Sequence, residues 1–123
     1  MLVDLDPQAN ATQGMGVALE DIRVSVAELI RDRALDTLSE IYEGNGLDLI
    51  PSSPLLAKVE REMVGTTNSE LRLAQRLVKL YNLYSIIILD TPPTLRPFGT
   101  LSAISVMLLK SLKALTRFLI TMG

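Results

Sequence analysis

Tyr84-Ser85-Ile86-Ile87-Ile88-Leu89-Asp90, followed at once by Thr91-Pro92-Pro93, is the stretch that decides the fold. A β-branched run with no polar alternation reads as a strand buried on both faces, typical of a parallel sheet covered by helices. The prolines cannot extend a hydrogen-bonded ladder and end it. The acid stands at the strand's carboxyl end, where open α/β sheets carry their chemistry.

Working outward, Leu47-Asp48-Leu49-Ile50-Pro51 reads as a second short strand closed by proline, and Met1-Leu2-Val3-Asp4-Leu5-Asp6 as another, stopped by Pro7. Helical stretches separate them. Ser25-Val26-Ala27-Glu28 is a capping box that opens a helix through Arg33, with Tyr42 as its outer limit and Gly44-Asn45-Gly46 beyond it. Ser53-Pro54 opens another, with Ser53 as N-cap and Pro54 in the first turn. Leu55, Leu56, Val59 and Met63 line one face, and Gly65 stops it. Thr67-Asn68-Ser69-Glu70 is a second capping box, with Leu73, Leu77, Leu80 and Tyr84 following at helical spacing. Residues 7–16, PQANATQGMG, read as a loop. Strands alternating with helices predict an α/β fold, a mostly parallel sheet flanked by helices.

The 123 residues amount to one domain of chain, and 48% hydrophobic with 21% charged residues is globular composition. Aromatics are 4% with no Trp, so the core must be aliphatic. With no Cys and no His, disulfides, thiolate or imidazole metal sites, and Cys or His catalysis are excluded. Oxygen-loving metals remain, chiefly Mg²⁺. Met1-Leu2-Val3 runs into Asp4 with no basic stretch, so no secretory leader is expected, and the zero Cys count fits a cytoplasmic setting.

Charge divides unevenly. Residues 1–90 hold 8 Lys/Arg and 14 Asp/Glu, a formal −6, whereas 91–123 hold Arg96, Lys110, Lys113 and Arg117 and no acid, +4. Leu108, Leu112, Leu115 and Leu119 form one helical stripe with the three cations of 110–117 opposite, so 107–123 is expected to be an amphipathic basic helix. Such a helix docks on its own sheet, or meets a membrane surface or a partner. Its apolar stretch is too short and too interrupted to span a bilayer.

Three acids stand at strand ends: Asp4 and Asp6 on one strand, Asp90 on another. Alternation puts Asp4 and Asp6 on the same side. If the strands are neighbours, the three carboxylates repel one another unless a cation or hydrogen-bond donors intervene. Mg²⁺ would do this and commonly brings a phosphate. Taken singly, each acid also suits a turn or loop cap.

Met1-Leu2-Val3-Asp4-Leu5-Asp6-Pro7-Gln8-Ala9-Asn10-Ala11-Thr12 closely resembles the A-prime motif of the ParA/Soj chromosome and plasmid partition ATPases. Ile86 through Leu95 resembles their Walker B strand and the loop after it, and Ser25–Leu29 and Leu49–Ser53 fall where the family has similar segments. The resemblance covers about residues 1–106, expected to be a partial nucleotide-binding domain, and implies an incomplete P-loop NTPase-like fold. It implies Mg²⁺ and ATP as ligands, an ATP-dependent homodimer, nonspecific DNA and a ParB-like centromere-binding partner. By the same resemblance Asp6 positions or activates the attacking water, Asp4 supports the Mg²⁺ site, and Asp90 is the Walker B acid that holds Mg²⁺ through water. A membrane-associated MinD-like relative, or a non-enzymatic fragment binding a full-length homologue, are the alternatives.

The family's P-loop, a Gly-rich turn followed by Lys and Ser/Thr, has no counterpart here, since none of the seven glycines precedes a Lys. In the family that loop precedes the A-prime strand, with which this sequence opens. Beyond Val106 the sequence also leaves the family pattern. The expectations are therefore no ATP turnover by this chain alone, unpaired sheet edges and a tendency to associate.

Overall fold

A computed structural model describes residues 1–44, 46–67 and 69–92. The expected basic helix of 107–123, its leucine stripe and the Pro93–Leu95 end of the Walker-B-like segment lie outside the described residues.

Three short strands, β1 (Leu2–Asp4), β2 (Leu49–Ile50) and β3 (Ile88–Asp90), form a parallel sheet among the described residues in the order β2-β1-β3. The predicted α/β class with a parallel, helix-flanked sheet is what the structure has. β1 lies at the centre. Its Leu2 pairs with Leu49 on one side and Ile88 on the other, and its Asp4 pairs with Asp90.

Helix α1 (Asn10–Gly14) follows β1, α2 (Val26–Arg31) precedes β2, and α3 (Leu55–Met63) and α4 (Ser69–Leu77) link β2 to β3. Val3, Leu5 and Ile50 of the sheet region pack with Leu29 and Ile30 of α2, Leu56, Val59 and Met63 of α3, and Leu73, Leu77 and Leu80. This is an aliphatic core, as the composition requires. Each fully buried leucine contributes about 1.5–3 kcal/mol of transfer free energy. Gly65 ends α3 at φ +79, a backbone setting that a side chain would strain.

Four sequence expectations are corrected. Residues 10–14 are helical rather than loop, entered through Ala9 in the left-handed region at φ 55. Helix α2 ends at Arg31, and a 3-10 turn at Thr37–Glu40 leads to Tyr42, which bridges Leu49 in antiparallel fashion. The cause lies on α4: the Arg76 guanidinium donates to the carbonyls of Leu29, Asp32 and Leu35, taking acceptors that a longer helix would use itself. Pro54, not Ser53, takes the N-cap place of α3, with no side-chain cap, and the Ser53 hydroxyl lies 2.9 Å from that of Ser25. Finally, the Ile86–Ile88 run is buried on one face only. Ile87 is 5% exposed, but Ile86 is 38% and Ile88 44% exposed.

Candidate active site

The pleat of β1 sends Val3 and Leu5 into the core and Asp4 the other way. Register then places Asp4 directly beside Asp90 on β3, and the Leu5 N–H donates to the Asp90 carbonyl at 2.8 Å, extending the pairing. Asp6 lies just past the strand end. The three acids predicted from the sequence therefore gather at the carboxyl edge of two adjacent parallel strands.

Their environments differ. Asp4 is fully buried. Its Oδ1 accepts the Asp6 N–H at 3.0 Å, and its Oδ2 accepts the Thr12 N–H at 2.9 Å and the Thr12 hydroxyl at 2.6 Å. Asp6 is half-buried, and its Oδ1 accepts the Gln8 N–H at 3.0 Å in a local Asx turn. Asp90 is half-buried; burial pushes its carboxyl above the usual range, and the charges of Asp4 and Asp6 push the same way.

Among the described residues no three acidic side chains stand close enough to chelate an ion together. Asp4 is fully buried, and each of its oxygens already accepts at least one protein donor. Asp6 and Asp90 are the two more exposed carboxylates at this edge. That suits Mg²⁺, which keeps most of its waters and takes one or two carboxylates along with phosphate oxygens.

Sequence reasoning did not single out Thr12 or Ser52. Both are fully buried, and the Ser52 N–H donates to Thr12 Oγ1 at 3.0 Å. The available signal was a threonine eight residues past a strand-end aspartate, and a serine following the proline that closes β2.

Comparison with known proteins adds to this geometry. Residues 1–110 match the family model described as AAA domain. The chain is 39% identical over 97 residues to the sporulation initiation inhibitor protein Soj of Bacillus subtilis, covering 77% of this chain and 38% of Soj. It is 38% identical over 96 residues to the chromosome partitioning protein ParA of Myxococcus xanthus, covering 77% of this chain and 34% of ParA. Among solved structures, cobyrinic acid a,c-diamide synthase from Mycobacterium smegmatis, with bound ATP analog and magnesium, superposes with a TM-score of 0.77 at 29% identity. That match covers 87% of this chain and 43% of the synthase. The chain thus spans well under half the length of each of these relatives. The match over residues 1–110 shows that the chain belongs to the AAA domain family, and its sequence is similar to the ParA/Soj partitioning proteins.

Proposed function

We propose that these residues form the hydrolytic half of an Mg²⁺-ATP site in a partition ATPase that moves chromosomes or plasmids. The observation that carries this reading is the Asp4–Asp90 register, which sets the two acid motifs side by side at one sheet edge. Asp6 orients the attacking water and accepts its proton. Asp90 is the residue that would hold Mg²⁺ through a bound water, and Asp4 supports the arrangement from behind. The ion, when bound with ATP, supplies charge neutralisation at the phosphates. Phosphoryl transfer depends mainly on positioning and electrostatics, so few chain residues need act chemically. A homodimer, nonspecific DNA and a ParB-like protein are the partners this reading brings with it.

The 123 residues contain no Gly-rich turn followed by Lys. Facing a triphosphate with carboxylates alone, the site repels it. We expect the purified chain to hydrolyse no Mg-ATP by itself. A chimera carrying the corresponding N-terminal segment of Bacillus subtilis Soj ahead of Met1 supplies the phosphate-binding amides and lysine. It is expected to turn over ATP, and Asp6→Ala should lower that rate by about 10²-fold or more. A folded chimera without turnover, or one indifferent to Asp6→Ala, would overturn the reading.

A further inference from the structure

Asp4 heads a polar seam that joins three separated stretches of chain. Its two oxygens clamp both ends of the turn carrying Asp6: Oδ1 takes the Asp6 N–H, and Oδ2 takes the Thr12 N–H and hydroxyl. Between those ends the bonds to described residues are local: the Ala9 N–H donates to the Asp6 carbonyl at 2.9 Å and the Gln8 N–H to the Asp6 carboxylate.

Thr12 is fixed from its other side as well. A backbone N–H can only donate, so the Ser52 amide at 3.0 Å occupies a lone pair of Thr12 Oγ1 and leaves the hydroxyl proton for Asp4. Ser52 is itself held in place by its neighbours. The Pro51 carbonyl accepts the Val26 N–H at 2.8 Å, and the Ser53 hydroxyl lies 2.9 Å from that of Ser25 at the start of α2. Asp4, Thr12 and Ser52 are all fully buried, so the Asp4–Thr12 and Thr12–Ser52 bonds are made in a water-poor setting where losing one is costly.

We propose that Thr12 is the positioning residue for the Asp6 turn, with Asp4 as its anchor and the Ser52 amide as its orienting donor. Asp4 thereby serves the site by holding the turn. The functional meaning rests on the reading of Asp6 as the acid that orients water, but the positioning itself can be tested without nucleotide.

The test is amide hydrogen exchange by NMR on the full chain, comparing wild type, Thr12→Val and Thr12→Ser. Valine keeps the volume and loses the hydroxyl; serine keeps the hydroxyl and loses the methyl. In Thr12→Val the Asp6, Thr12 and Ser52 amides should exchange about tenfold faster or more, while the Val59 amide in α3 stays within about threefold. Thr12→Ser should restore slow exchange. A valine variant indistinguishable from wild type, or a serine variant as fast as valine, overturns the proposal. If Thr12→Val does not fold, the wild-type spectrum decides. The Thr12 hydroxyl proton should appear as a slowly exchanging resonance close to the Asp4 carboxylate, and its absence overturns the proposal. An inactive Soj chimera with this exchange pattern intact would instead refute only the catalytic reading.

Discussion

Tyr84 Oη donates to Asp48 Oδ2 at 2.7 Å, tying the segment before β3 to the residue before β2. That bond, with the Gly44 N–H, holds the Asp48 carboxyl below its ordinary value, while burial and the Asp48 charge push Tyr84 up to about 12. The signs follow from linkage. A depressed carboxyl stabilises the fold above its unfolded pKa, near 3.8, and that contribution fades as pH falls through the lower folded value. A raised phenol stabilises below pH 10, and its contribution is lost as pH climbs from 10 towards 12. Tyr84→Phe should therefore remove part of the acid limb and most of this alkaline limb, seen as a wild-type minus variant difference in urea midpoint that is largest between pH 5 and 9. Hydroxyls in the polar seam should split in sign. The Ser52 hydroxyl is buried with no partner among the described residues, so Ser52→Ala should be neutral or stabilising, by up to about 1 kcal/mol in chemical denaturation. The acids of the site were legible in the sequence because strand-end carboxylates announce themselves by position. Their separate duties were not. Whether Asp4 faces solvent or Thr12 depends on a short helix, α1, inside a segment whose small polar residues read as loop.

The start of α2 was legible for the same local reason. Ser25 caps α2 as its sequence predicts: its side chain accepts the Ala27 N–H, and the Glu28 carboxylate returns to the Ser25 N–H at 2.8 Å. Ser25→Ala should cost about 1 kcal/mol, read from the urea midpoint. The end of α2 was not legible, because its terminating group is 45 residues away in sequence, on α4. Arg76 donates through Nε to Leu29 O and through Nη1 to Leu35 O, each at 2.8 Å, and through Nη2 to Asp32 O. A planar fork with five donors can serve three diverging carbonyls; an ammonium on a flexible stem cannot. Arg76→Lys and Arg76→Met should thus both destabilise, by about 2 kcal/mol, with lysine giving little rescue. Full rescue by lysine would mean that charge near the helix end, not the carbonyl clamp, is what matters. The β3 run shows the other limit of local reading. Three successive isoleucines predict burial on both faces, yet helices α2–α4 supply cover for Ile87 alone. Composition says that a strand is apolar; it does not say how many layers lie over it.

For the molecule as a whole, that exposed apolar face sets its behaviour in solution. Ile88 opens β3, an outer strand of the described sheet, Ile86 lies two residues before it, and Leu83 ahead of both is 60% exposed. An apolar outer strand is a template for pairing with another chain. The chain also combines a −6 body with a +4 segment, which gives a second, electrostatic route to association. Salt separates the two. At about 1 M ionic strength the Debye length is near 3 Å, so charge pairing between chains should be suppressed while hydrophobic contact persists. The expectation is concentration-dependent association of the purified chain, measured by sedimentation velocity, that survives 1 M NaCl. Replacing the apolar pair, Ile86→Lys with Ile88→Lys, should shift the distribution to smaller species, because charge on an outer strand opposes pairing. Val64→Lys is the control: Val64 is 72% exposed at the C-terminal end of α3 and outside the β3 run, so it should leave association unchanged. Association that disappears at 1 M NaCl would assign the contact to the charge asymmetry instead. A monodisperse monomer at all concentrations would mean that the β3 face does not pair with a second copy.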